Sequence, residues 1–226
     1  MHGSPRFTAC ERDIIARCST PRDTQAFICE NIRYRTNPRG CVRTFRRVLR
    51  ERYAQCLEGS LFAACVLGEH GYPPHILCLE TSETDHCLYV YQNGTTGYWG
   101  AIEKPISSRT AGKPAIYSNL ASLAHGFRKL ICGELRGFTH IDLTNVPCSW
   151  RTGRNAKEID ELLYDVAYVS LGPEREGEFY ISDCDGTRTW LHPRAVISLR
   201  RRFQGILLLK NLHEYDRDEA QRVTAS

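Results

Sequence analysis

A helix that begins at Cys56 and cannot run past Gly71-Tyr72-Pro73-Pro74 constrains this chain more than any other stretch. Leu57, Leu61, Ala64, Cys65 and Gly68 fall at i, i+4, i+7, i+8 and i+11, which is one apolar face of an α-helix. Gly59, Ala63 and Ala64 are small enough to let that helix approach a sheet closely. Gly68 and Gly71 end it, and two successive prolines, which lack N–H donors and fix φ, prevent it from resuming. The chain must therefore change secondary structure at residue 75, with a cysteine fixed at the head of the buried element behind it.

Short apolar runs rich in Ile, Leu, Val and Tyr follow, and these predict three antiparallel strands: 75–80, 86–92 and 98–103. Residues 81–85 make the first turn, and Asn93-Gly94-Thr95-Thr96-Gly97 makes the second. Upstream, the segment up to Ile32 reads as helical, with Thr20-Pro21 as a hydroxyl cap followed by proline at the first helical position. A second helix is predicted from Val42 to Tyr53, apolar through Val42, Phe45, Val48 and Leu49, with Arg43, Arg46, Arg47 and Arg50 on its other side.

Downstream of Pro105 the pattern predicts a helix over 118–131, capped by Ser118 or Asn119, and a strand over 138–143. A helix over 155–164 and strands over 167–171, 178–182 and 188–192 follow, the strands divided by Gly172-Pro173 and Asp185-Gly186 turns. The segment 195–212 reads equally as helix or strand. These elements predict an α+β fold in which a helical front half and the cysteine helix pack on an antiparallel sheet. Residues 1–149 form the core, and 150–226 a small β-rich C-terminal extension that either stands apart or joins the same domain.

Composition excludes several function classes. The N-terminus lacks a basic region followed by an apolar one, and no apolar run reaches the roughly 18 residues that span a bilayer. A soluble cytoplasmic protein with no membrane association is expected. Eleven cysteines without Cys-x-x-Cys spacing predict neither a zinc site nor, in a reducing compartment, a disulfide framework. His70, His75 and His86 do not have ligand spacing either, so no metal or organic cofactor is expected. A net charge of +4 is too small an excess to argue for nucleic acid. The arginines at 43, 46, 47 and 50 read either as a solvated helix face or as a contact for an anionic partner.

The chemistry concentrates in three residues. A thiol is mostly protonated at neutral pH, and its pKa is lowered by the positive end of a helix and by a neighbouring imidazolium. Cys56 has the first, and His86, opening the next-but-one element, is placed to provide the second and to act as base and then acid. A carboxylate on the second ring nitrogen would hold the imidazole in register. Glu103 and Asp85 are the candidates. Asp85 adjoins His86, and adjacent strand residues point to opposite faces, which makes it the poorer orienter. An oxyanion donor is available in the Cys56 backbone N–H, with Gln55 or a residue elsewhere as the second.

These residues carry a family resemblance. A cysteine heading a helix with small residues, the Gly71-Tyr72-Pro73-Pro74 exit and a histidine heading a strand resemble the transglutaminase-like superfamily, which has papain-like architecture. In that superfamily the histidine strand leads through a glycine-containing turn to a strand bearing Trp and, four residues on, Asp. Here Trp99 stands thirteen residues after His86, and Glu103 stands four after Trp99.

The resemblance covers about fifty residues closely and 20–125 more loosely, and it departs from the family at Glu103, where Asp is usual. It implies a Cys56–His86–Glu103 triad, with Trp99 as a wall of the site and part of the core. The implied activity is that of a cysteine-dependent peptidase, amidase or acyl transferase acting on a protein or peptide through a thioester. The alternative is an inactive relative that keeps the fold as a binding or scaffold protein.

Overall fold

The computed structural model describes residues 6–36, 41–105, 112–164, 166–173, 175–182 and 187–191. Its elements run α1 (Ala9–Arg17), α2 (Pro21–Asn31), β1 (Arg33–Tyr34), α3 (Phe45–Glu51), β2 (Tyr53–Ala54), α4 (Cys56–Gly68), β3 (His75–Thr81), β4 (His86–Gln92), β5 (Trp99–Ile102) and β6 (Lys113–Tyr117). They continue through α5 (Leu120–Phe127), β7 (Leu135–Asp142), α6 (Ser149–Thr152), α7 (Lys157–Tyr164), β8 (Tyr168–Ser170), β9 (Phe179–Ser182) and β10 (Arg188–Trp190). The protein is a mixed α+β structure built on one large antiparallel sheet.

The cysteine helix α4 is more deeply buried than its single predicted face implies. Every residue from Leu57 to Leu67 is buried, because α2, α3 and α6 pack around it on one side and β3 and β4 close the other. Its polar residues are compatible with that burial because each finds a partner. Ser60 donates to Cys56 O at 2.9 Å and is also 3.0 Å from Cys87 O, and Glu58 receives Arg43.

The predicted front helix is two helices. α1 is closed by Cys18 in a non-helical conformation, and α2 restarts under the Thr20 cap with Pro21 in its first turn. α3 is shorter than predicted because Thr44 caps it and Arg52, at φ 60°, ends it in the left-handed region.

The eight-stranded sheet has the order β10-β9-β8-β7-β3-β4-β5-β6, and each neighbouring pair is antiparallel. β8, β9 and β10 extend it from β7, so the strands of the C-terminal part continue the sheet that carries the central hairpin. On one face α4 and its neighbours cover Ile76, Cys78, Cys87, Tyr89 and Ile102. On the other, α5 covers Leu77, Leu79, Leu88, Val90, Trp99 and Ala101. This is the two-face burial expected of alternating strands packed between helices. β6 and α6 lie outside the predicted elements, both too short to leave a periodic signal. The ambiguous segment 195–212, the Asp185-Gly186 turn and His192 lie outside the described residues.

The arginine stripe needs correction. Arg43 is buried, and it pairs with Glu58 and Glu51 at 2.9 Å each. Arg46 pairs with Glu11 at 2.6 Å, and Arg47 with Glu51 at 2.7 Å and Asn155 at 2.7 Å. Only Arg50 has a largely exposed side chain, with Glu51 3.4 Å away. A helical wheel separates apolar from charged residues but does not show that α1, α4 and the chain near 155 close over the charged side. Three of the four guanidiniums therefore serve intrachain pairs and are poorly placed for an anionic partner. Among the described residues, no helix is long and apolar enough to cross a membrane.

Candidate active site

Cys56 is the first residue of α4, where a helix offers its N–H no internal acceptor and carries partial positive charge. The two-residue strand β2 delivers the chain into this position by pairing in parallel with β1, Arg33 opposite Tyr53 and Tyr34 opposite Ala54. Gln55 is the N-cap, and its backbone N–H donates to Glu58 at 2.9 Å. That N–H is therefore already committed within the helix, and only the Gln55 side chain remains for the second-donor role. Tyr34 adjoins the same helix end. Burial pushes its phenol up, and the charges of Cys56 and Glu58 push it further.

His86 opens β4, and its Nε2 lies 2.9 Å from Glu103 Oε2. A carboxylate can only accept, so Nε2 carries the proton and Nδ1 is the nitrogen available to the Cys56 thiol, which lies near enough to raise the ring's pKa. The structure thus puts Glu103 on His86, with Cys56 near the same ring. Burial opposes the imidazolium, but the bonds to Cys56 and Glu103 outweigh it and lift His86 to about 9. At Cys56 the balance runs upward. The hydrogen bond to Cys87 raises the thiol, burial raises it again, and the bond to His86 pulls down without overcoming them. Asp85 faces away from this chain, its carboxylate 3.4 Å from the Tyr168 hydroxyl.

Glu103 is held by a residue that sequence reasoning did not find. β5 ends at Ile102, so the Glu103 backbone lacks a ladder partner. Gln25 on α2 supplies both bonds, Glu103 N to Gln25 Oε1 at 3.0 Å and Gln25 Nε2 to Glu103 O at 2.9 Å. A side-chain amide has the donor and acceptor of a peptide group, so it extends the strand by one residue. The two residues lie 78 positions apart, and nothing local marks Gln25 for this role. Among the described residues Glu103 Oε1 is buried without a hydrogen-bond partner, and His86 is the group found on the other oxygen.

Trp99 does not line the site. It sits in the α5 layer with ring centroids 6.1 Å from His75 and 5.8 Å from His140. Residues two apart on a strand share a face, and Trp99 shares its own with Ala101, opposite the face that holds Cys87 and Ile102. The three histidines considered as ligands also separate. His70 contacts Ile15 O at 2.8 Å, His75 stacks on His140, and His86 turns to Glu103.

Gly59 sets the spacing between helix and acid. A Cβ there would lie 2.4 Å from Lys104 Cβ, and Lys104 is buried directly after Glu103. Gly59→Ala is expected to destabilise the protein by about 1–2 kcal/mol, because overpacking against a near-backbone atom outweighs the better helix propensity of alanine. It is also expected to lower the pKa of His86 as the Glu103 segment moves away. Denaturant titration and an NMR titration of His86 check the two parts. A variant as stable as the parent with an unmoved His86 would show that the spacing is not critical.

Comparison of the chain with protein-family models gave no match, and comparison with curated proteins gave none either.

Proposed function

We propose that this protein is a cysteine-dependent amide-bond enzyme of transglutaminase-like type, a hydrolase or acyl transferase acting on a protein or peptide. The observation that carries the reading is the 2.9 Å His86–Glu103 bond on an imidazole whose pKa is also raised by Cys56, the first residue of a helix. In this reading Nδ1 of His86 takes the thiol proton, and Cys56 Sγ attacks the acyl carbon. The tetrahedral oxyanion is met by the Cys56 N–H, with the Gln55 amide or the Tyr34 phenol as second donor. His86 then protonates the leaving amine, and water or an amine resolves the thioester. Glu103 keeps the ring oriented and balances the imidazolium.

A second reading, a scaffold that keeps the fold without turnover, draws support from the upward shift of the Cys56 thiol by Cys87 and burial. The rate of Cys56 carboxamidomethylation against pH, located by mass spectrometry, separates the two. For the enzyme, labelling is expected to follow an alkaline profile governed by His86 near 9 and to fall on the order of tenfold in His86→Ala. Labelling unchanged by His86→Ala would instead favour the scaffold. Amidase or acyl-transfer activity that survives Cys56→Ala would remove the nucleophile assignment altogether.

A further inference from the structure

Three sulfurs run inward from the candidate nucleophile. Cys56 is half-buried and lies beside Cys87 on β4: Ser60 Oγ is 2.9 Å from Cys56 O and 3.0 Å from Cys87 O, and the two thiols shift one another's pKa. Cys87 Sγ is in turn 3.0 Å from Cys78 Sγ on β3, the residue directly opposite it in the antiparallel register. Cys87 and Cys78 are 6% and 1% exposed, so the outer end of the row is the accessible one. Ser60 ties α4 to β4 at this point by bridging Cys56 O and Cys87 O, which holds the backbones of the first two cysteines close together. No described cysteine is in a disulfide.

We propose that Cys56, Cys87 and Cys78 form a thiol relay that accepts hydrogen peroxide at Cys56 and stores the oxidation as a buried Cys78–Cys87 disulfide, returning Cys56 to the thiol. In the first step Cys56 thiolate attacks a peroxide oxygen. The O–O bond breaks, Cys56 becomes a sulfenic acid, and the hydroxide released takes a proton from His86 to leave as water. In the second step Cys87 attacks the Cys56 sulfur. The S–O bond breaks, the proton of Cys87 goes to the departing hydroxide, and a second water leaves behind a Cys56–Cys87 disulfide.

In the third step Cys78 attacks Cys87 Sγ and its proton passes to Cys56, which departs as a thiol. The balance is two thiols oxidised to one disulfide and one peroxide reduced to two waters. The relay spares Cys56 from the irreversible sulfinic stage. It goes beyond the catalytic reading and does not depend on turnover of any substrate.

The test is disulfide mapping after hydrogen peroxide treatment of the full chain, quenched in denaturing acid and blocked with N-ethylmaleimide. The wild type is expected to yield a Cys78–Cys87 linked peptide with Cys56 recovered as the blocked thiol. Cys78→Ala is expected to stop at a Cys56–Cys87 link. Cys56→Ala, which changes a half-buried residue, is expected to slow the Cys78–Cys87 link on the order of tenfold or more, because the oxidant loses its point of entry.

Sulfinic Cys56 beside reduced Cys87 and Cys78 in the wild type would overturn the relay. Equal rates of Cys78–Cys87 formation with and without Cys56 would overturn it as well. The readout is a covalent link and not an activity, so an inactive protein that passes this test would leave the relay standing and remove only the enzyme reading.

Discussion

Glu58→Ala is expected to destabilise the protein by about 3–5 kcal/mol, the range for breaking a buried ion pair from one side. Glu58 is fully buried at the third position of α4 and is approached by three donor groups. The backbone N–H of Arg43 donates at 2.8 Å, its Nη1 contacts both carboxylate oxygens at 3.1 and 2.9 Å, and Gln55 N donates at 2.9 Å. Removing the carboxylate leaves two backbone N–H groups without their acceptor. It also leaves a guanidinium whose side chain is 7% exposed with Glu51 as its remaining acidic partner.

For a chain of this size the loss corresponds to a fall in Tm on the order of 10 °C. The double replacement Arg43→Met with Glu58→Leu is expected to recover only the part due to the stranded guanidinium, because the backbone N–H groups of Arg43 and Gln55 still lack their acceptor. Denaturant titration of the three proteins checks this. A single-variant loss below about 1 kcal/mol would mean that the pair is well hydrated and not an anchor of the helix N-terminus.

The anchor also shows where sequence reading reaches its limit. Apolar spacing and the double proline identify α4 and its end, and the alternating runs identify the central hairpin, because both signals are local and periodic. The register of that hairpin is not legible in the same way: a turn over 81–85 would pair residue 80 with 86 and put Cys78 opposite Leu88, whereas Leu79 pairs with His86 and Cys78 with Cys87. Glu58, by contrast, reads on the page as an ordinary first-turn acid. That it is the buried partner of Arg43 depends on how α3 and α4 pack, which no helical period encodes.

Trp99 and Glu103 make the same point in opposite directions. Four-residue spacing put them in one motif, and strict alternation would put both on the α5 face. The strand ends at Ile102, Gln25 takes over the Glu103 backbone, and only the acid reaches His86. Sequence order singled out Cys56, His86 and Glu103 as candidates, and the structure puts the last two in contact. The groups that hold them (Gln25, Glu58, Cys87) come from tertiary contacts among residues that have ordinary local roles.

The second large effect is a loss of stability in mild alkali that belongs to His86. Its pKa is lifted from 6.5 to about 9 in the folded protein, so the folded state holds this proton more tightly than the unfolded chain does. A raised pKa adds stability that is complete below 6.5 and disappears as pH rises through the folded value. The size is about 3 kcal/mol, mostly gone by pH 9.

Two other sets of groups border this window without filling it. His75 is lowered by burial, so its contribution grows with pH and levels off near 6.5. The buried thiols of Cys65 and Cys87 and the half-buried Cys56 are all raised above 9.0, so they withdraw stability only beyond pH 9. Between pH 6.5 and 9 the slope is therefore expected to come chiefly from the imidazolium beside Glu103. Denaturant midpoints across this interval should fall for the wild type, and Glu103→Gln, which keeps the shape but removes the charge, should lessen the fall, leaving the part that Cys56 supplies. A wild-type stability constant from pH 6.5 to 9, or an equal slope in Glu103→Gln, would mean that the 2.9 Å contact does not hold a charged pair, and the orienting role of Glu103 would fall with it.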